Sequence, residues 1–236
     1  EPVRDTPEAQ LSALRQAVAS NPSDAEAWRR LGIALRRQGD TPEVLRHLEK
    51  AVELAPEDVR ALLSLGIFYA DQDRFDEAQR MYERILAIDP RQPKALNNLG
   101  NLALRVGDQE RAIELYRRAV DADPTYVGAL HKLGSVLAYY GRYDEAYPLF
   151  ERVVESESAG PFYVNGSLVH MATINVHRGK YELADEQLLS VLREVPDHTS
   201  AHYTRATVLT HLGRPEEAQR ELTLHMRFMK LPGEDG

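Results

Sequence analysis

The sequence predicts an all-α solenoid, in which one lone N-terminal helix is followed by six antiparallel helix pairs. Three observations carry this. A 34-residue pattern recurs at 25–58, 59–92, 93–126, 127–160, 165–198 and 199–232. Small residues, helix-stopping residues and prolines return at fixed places inside each copy. Apolar residues in both halves of a copy fall at helical spacing. A period of this length marks one supersecondary unit that cannot bury its apolar side alone, so 1–236 is read as a single stacked domain.

Composition agrees and excludes several classes of function. The chain has 43% hydrophobic residues but only 7% aromatic ones, so its core must come mainly from Leu, Ala, Val and Ile. A net charge of −8 argues against a general nucleic-acid binder, which carries a basic face and a basic total. No apolar run reaches the ~20 residues that span a bilayer, so no membrane helix is expected. With no cysteine, disulfides, thiolate metal sites and cysteine nucleophiles drop out. The first residue is Glu1, which suggests a processed form or a piece of a longer protein. Arg outnumbers Lys 24 to 5, in the manner of a high-GC bacterial gene. An exported, periplasmic location in a bacterium is favoured, with the cytoplasm as the alternative.

Residues 1–5 read as a disordered lead-in. Thr6-Pro7-Glu8 supplies an N-cap, a proline at the first helical position and an acid in the first turn. Leu11, Leu14, Ala17 and Val18 then follow at helical spacing, and Asn21-Pro22 stops this packing helix of 6–21. Ser23-Asp24-Ala25-Glu26 has capping-box spacing at the head of the first copy.

Four columns align when each copy is numbered from 1. Position 8 is Gly32, Gly66, Gly100, Gly134, Ala172 and Ala206, which lets two helices approach closely. Position 20 is Val44, Ala78, Ala112, Ala146, Ala184 and Ala218. Position 15 is Gly39, Asp73, Gly107, Gly141, Gly179 and Gly213, residues that accept the left-handed conformation at a helix end. Position 32 is Pro56, Pro90, Pro124, Ser158, Pro196 and Pro232, which closes each copy.

These columns resemble the tetratricopeptide repeat, with its W-x2-L-G-x2-Y start followed by Ala, an aromatic and Pro. The start appears as Trp28-x2-Leu31-Gly32-x2-Leu35 and as Leu62-x2-Leu65-Gly66-x2-Tyr69. Tyr82, Tyr116 and Phe150 match the later aromatic. The resemblance covers roughly 7–232 and implies a right-handed superhelical solenoid whose function is protein binding. Departures follow Ser158, where four extra residues, Pro161-Phe162-Tyr163-Val164, imply a loop and a lengthened first helix. In the last copy Arg205 takes the place of Leu or Met at position 7, and His225 stands at position 27. Such polar intrusion suits a terminal copy with no neighbour; the alternative is that Arg205 faces a partner. Residues 231–236 read as a frayed tail, and Pro148 is expected in the first turn of its helix.

The family resemblance also implies that positions 2, 5, 6, 9, 12 and 13 of each first helix line a concave groove. Those positions hold Arg29, Arg30, Arg36, Arg37, Arg60, Lys94, Arg105 and Lys132 against Glu26 and Asp71. A basic inner face on an acidic protein would attract an acidic or carboxylate-bearing segment, unless the unevenness is chance. Asn97, Asn98 and Asn101 either read an extended backbone through their amides or simply keep the face polar. They are similar to the asparagine row of the O-linked N-acetylglucosamine transferase repeats, though only one copy here carries it. The carboxylate clamp of heat-shock chaperone adaptors is absent as a set, with Ile33, Ser64, Lys94 and Asn98 following Arg29 at its places.

His131, His170, His177 and His211 also fall on groove positions, where protonation near pH 6 would add positive charge. His198 and His202 are four apart, yet no HExxH motif or acid cluster supports a metal, and no cofactor is implied. Tyr139, Tyr140, Tyr143 and Tyr147 either pack between copies or join Phe162 and Tyr163 in an apolar contact site. No phosphate loop, nucleophile elbow or paired-carboxylate cleft is present, so no enzyme is expected. The expected function is a non-catalytic scaffold holding a peptide or protein segment. Its expected contacts are Arg29, Arg36, Arg60, Asn97, Asn98, Asn101, Arg105, Lys132 and His170. The alternatives are an assembly or oligomerisation module, such as a cell-envelope assembly factor, and the regulatory repeats of a larger protein.

Overall fold

The computed structural model describes residues 6–36 and 41–229, which hold thirteen helices and no strand. Arg37, Gly39, Pro232, the lead-in at 1–5 and the tail at 231–236 lie outside the described residues. The chain divides into two compact units, Glu1–Ala122 and Asp123–Gly236.

The first unit opens with α1 (Pro7–Ser20), capped by Thr6, whose hydroxyl accepts the Ala9 N–H at 3.2 Å. Leu11 and Val18 are its buried residues, and α1 packs on α2 (Ala25–Arg36). Three pairs follow, α2 with α3 (Thr41–Leu54), α4 (Val59–Asp71) with α5 (Phe75–Ile88), and α6 (Pro93–Arg105) with α7 (Gln109–Ala122). Each first helix packs on its own partner, and α4 and α6 also pack on the second helix of the preceding pair. First helices touch first helices, whereas among the described residues α3, α5 and α7 make no close backbone approach to one another. The capping box at the head of α2 does not form. Asp24 is the cap, accepting the Ala27 N–H at 3.0 Å, while Ser23 turns back to Asn21 and Glu26 bonds Arg29.

Position 8 sets how closely the helices of a pair approach. A Cβ built on Gly66 would stand 2.6 Å from the ring of Tyr82, and one on Gly100 would stand 2.6 Å from that of Tyr116. Gly134 meets Phe150 in the same way at 2.9 Å. Where position 24 is instead Leu188 or Leu222, position 8 is Ala172 or Ala206. In these five copies the two columns trade volume, because a flat ring fills the space that a glycine leaves; the first copy departs from this and pairs Gly32 with Leu48, whose side chain a Cβ at residue 32 would meet at 2.9 Å. Buried Ala78, Ala112, Ala146, Ala184 and Ala218 complete the contact from the second helix.

Position 15 adopts left-handed backbone wherever it is described. Gly107, Gly141, Gly179 and Gly213 have φ between 69° and 80°, and Asp73 shares the conformation at 56°. Arginines of the second helices then clasp the loop ends. Arg84 donates to the Pro56 carbonyl at 2.8 Å and Arg152 to that of Pro124 at 2.5 Å.

The second unit repeats the scheme with α8 (Val127–Tyr139) on α9 (Tyr143–Val154), α10 (Pro161–His177) on α11 (Tyr181–Glu194), and α12 (Thr199–His211) on α13 (Pro215–Met229). The four extra residues lengthen α10 to 17 residues, with Gly160 as its N-cap and Pro161 in the first turn. Pro148 is not in a first turn. It is the sixth residue of α9, where it removes the N–H that would bond to the Asp144 carbonyl.

Arg205 also differs from the expectation, since it neither faces outward nor marks a loose end. It is buried between α11 and α13, donating to Asp185 at 2.6 Å and to Glu221. Glu221 also meets Nδ1 of buried His202 at 2.5 Å, and Nε2 of that ring lies 2.9 Å from the Pro196 carbonyl. Arg214 closes the network from outside on Asp185 at 3.2 Å. Position 7 is polar in this copy because its acidic partners sit at Asp185 and Glu221.

Candidate functional site

In the first unit the expected groove residues lie on α2, α4 and α6. Arg29 grips Glu26 through two nitrogens, at 2.8 and 2.6 Å. That bond, with the added charges of Arg29, Arg60 and Arg30, holds the Glu26 carboxyl below its usual range. Arg60 reaches the same carboxylate at 3.5 Å, which ties α4 to α2. Arg36 meets Asp71 at 2.9 Å across the same two helices. Arg105 meets Asp73 at 3.3 Å and lies 4.7 Å above the ring of Phe75. Arg36, Arg60 and Arg105 thus join neighbouring copies. Their pairs are half or more exposed on the arginine side, so each is worth about 0–1 kcal/mol. Arg30 and Lys94 are exposed and have no ion pair among the described residues.

The three asparagines separate into three environments. Asn97 is only 6% exposed; its amide donates to Asn98 at 3.4 Å, and its Oδ1 has no hydrogen-bond partner. Asn101 accepts the Tyr116 hydroxyl at 2.7 Å, and burial pushes that phenol's pKa upward. Asn98, half-buried, keeps its amide nitrogen free of such a commitment.

In the second unit Lys132 is exposed, with no ion pair among the described residues. His170 is half-buried, stacked on Phe150 at 4.9 Å, with Nε2 3.3 Å from the Ser135 hydroxyl. His131 lies against Phe150 and Tyr163, with Nδ1 3.0 Å from Ser167 Oγ. Burial lowers the pKa of both rings; for His131 it falls to about 4, with the charges of His170 and Lys132 adding to the effect. His131 therefore does not add charge near pH 6, contrary to the expectation from its position, and burial shifts His170 in the same direction. His198 caps α12 by accepting the Ala201 N–H, and both nitrogens of His202 are occupied. No group of three or more His, Asp or Glu able to hold a metal occurs among the described residues.

The aromatic group does not form one site. Tyr143 stacks on His177 at 4.8 Å, and Tyr147 lies under Arg178 and near Asn175, so both pack between copies. Tyr139 is 83% exposed at the end of α8, eight residues or about 12 Å along the helix from His131, against which Tyr163 packs. Sequence reading also missed a pairing of columns. Position 13 lies over an aromatic at position 17 of the preceding copy, as in Arg105 on Phe75, His177 on Tyr143 and His211 on Tyr181. Aligning position 13 of one copy with position 17 of the copy before would have revealed it.

This geometry of 34-residue helix pairs has a counterpart in sequence families. Residues 8–125 match the family described as the cytochrome c-type biogenesis protein H TPR domain. Residues 129–159 and 171–222 each match a tetratricopeptide repeat family. The chain belongs to the tetratricopeptide repeat (TPR) family. No curated protein matches its sequence. Among solved TPR-like structures, the APC/C hetero-tetramer Cut9-Hcn1 is similar at TM-score 0.78 and 18% identity, over 96% of this chain and 44% of that one. The present chain therefore spans less than half of that relative. PilF of Pseudomonas aeruginosa is similar at TM-score 0.75 and 19% identity, over 87% and 91%. The type IV pilus biogenesis factor PilW is similar at 0.71 and 20%, over 86% and 93%. These likenesses establish the TPR fold. No helix among the described residues is long and apolar enough to cross a membrane.

Proposed function

We propose that this chain is a non-catalytic TPR scaffold that holds an acidic or carboxylate-bearing protein segment on its first helices. The observation that carries the reading is the row formed by Arg60, Lys94 and Asn98 on α4 and α6. It combines an exposed, weakly paired guanidinium, an unpaired ammonium and a half-buried amide on adjacent helices. Arg36 and Arg105 extend the row, each ready to exchange its internal carboxylate for one of the ligand. Arg29 is too firmly held by Glu26 to do more than position it, while Lys132 and His170 would act in the second unit. The cytochrome c-type biogenesis family matched by 8–125 supports a bacterial envelope setting, and we take assembly of c-type cytochromes as the process served.

The test is affinity capture from a bacterial envelope extract with the wild type and with Arg60→Glu/Arg105→Glu. The proposal expects one or more acidic partners retained by the wild type and lost by the variant. Identical captures from both proteins would defeat it. A second reading, association through the last helix pair, is favoured by exposed Tyr203, Met226 and Met229. It expects sedimentation to show a concentration-dependent dimer.

A further inference from the structure

A cleft of about 550 Å³ opens between α5 and α7 over a floor supplied by α6. Its walls are apolar, with Phe75 and Leu86 from α5, Leu99, Leu102 and Ala103 from α6, and Leu115 from α7. The volume lies in the range of sites that bury a ligand group. Leu99 and Ala103 are turned about 100° or more around the helix from Lys94, Asn98 and Asn101, while Arg105 of the groove row lies 4.7 Å over the Phe75 wall.

Comparison with the preceding copy explains why the space exists. Position 11 there is Tyr69, which is buried and donates its hydroxyl to Glu49 of α3 at 3.0 Å. Burial, with that carboxylate, pushes the phenol's pKa up to about 12, which keeps it a neutral donor. In the third copy position 11 is Ala103, the smallest residue in a column that otherwise reads Leu35, Tyr69, Leu137, Asn175 and Leu209. Glu83, the counterpart of Glu49, lines the cleft and accepts only from its own neighbour Gln79 at 2.7 Å. The site thus keeps the carboxylate and the apolar walls of a tyrosine socket while lacking the tyrosine. The rim is acidic. Asp76 and Asp108 line it together with Glu83, Asp108 also accepting the Arg111 N–H at 3.1 Å, and the one lining guanidinium, Arg111, is engaged by Glu114 at 2.7 Å.

We propose that this cleft is a docking site for a tyrosine side chain of a partner protein, carried on a segment with Lys or Arg beside it. The ring would occupy the volume left by Ala103, its hydroxyl would donate to Glu83, and the flanking cations would meet Asp76 and Asp108. The chain's own Tyr69 is the template for this occupant.

The test uses the whole protein and three capped peptides, Ac-Lys-Arg-X-Leu-Lys-amide with X as Tyr, Phe or Ala, followed by amide chemical shifts and titration. The tyrosine peptide is expected to shift Leu99, Ala103, Val106 and Leu115 and to bind about tenfold more tightly than the phenylalanine peptide. Glu83→Gln should cut that preference, and Ala103→Tyr, which rebuilds the arrangement at Tyr69, should abolish binding while the helical content and melting temperature are kept. Ala103→Leu, the residue of three other copies, gives a second filled variant should the tyrosine disturb folding. Shifts absent from the cleft, equal binding by Ala103→Tyr and Ala103→Leu, or no preference for tyrosine over phenylalanine would each overturn the proposal.

Discussion

Gly66 and Tyr82 show how much of a TPR copy is settled by one pair of side chains. The ring lies where a Cβ at residue 66 would be 2.6 Å away, too close for any flexible adjustment of a ring held at 1% exposure. Gly66→Ala should therefore cost about 1–3 kcal/mol in urea unfolding. Gly66→Ala/Tyr82→Leu should recover part of that loss, because it recreates the Ala172–Leu188 pairing. An unrescued double variant would show that volume exchange is not the cause. Asp73 gives a second case. It has a left-handed backbone, which costs a non-glycine residue about 1 kcal/mol, and it holds Arg105 only through an exposed ion pair. Asp73→Gly is expected to raise the melting temperature, whereas Asp73→Ala should lower it.

Among the elements, α11, α12 and α13 are bound by the buried Asp185–Arg205–Glu221–His202 network as well as by apolar contact. Arg205→Leu would leave buried Glu221 with His202 alone and buried Asp185 with the partly exposed Arg214 alone, and a loss of about 3 kcal/mol is expected in the denaturation of the second unit. The contact of α8 with α10 has a different sensitivity. His131 is neutral when folded because burial holds its pKa down to about 4, while the unfolded chain takes up a proton below about 6.5. Its stabilising effect is therefore complete above pH 6.5 and lost as the pH falls toward 4, by roughly 3 kcal/mol at most. Melting temperatures across that window should fall less steeply for His131→Gln than for the wild type.

For the whole chain, the fold was legible because a repeat contacts only its neighbours, so each copy displays every packing constraint within about one period. The small-residue column at position 8, the left-handed turns and the long α10 could all be read this way. What escaped was register between copies. Arg36 with Asp71, Arg60 with Glu26 and Arg105 with Phe75 depend on which turn of one helix lies beside which turn of the next. The Arg205–Asp185 bond was hidden for the same reason, whereas the Asn101–Tyr116 and Arg205–Glu221 bonds lie inside one copy and depend on which turn of its first helix faces its second. The positive row was seen as charge alone, whereas the structure adds its internal counter-ions. The proposed mode of binding is exchange, in which a ligand carboxylate takes the place of Glu26, Asp71 or Asp73. Fluorescence anisotropy of a labelled decaglutamate peptide across a salt series, with wild type and Arg60→Glu/Lys94→Glu, measures that exchange directly. The wild type should bind with an affinity that falls as salt rises, and the variant should bind at least about tenfold more weakly with a flattened salt dependence. Equal affinity and equal salt slope in the two proteins would contradict the groove account.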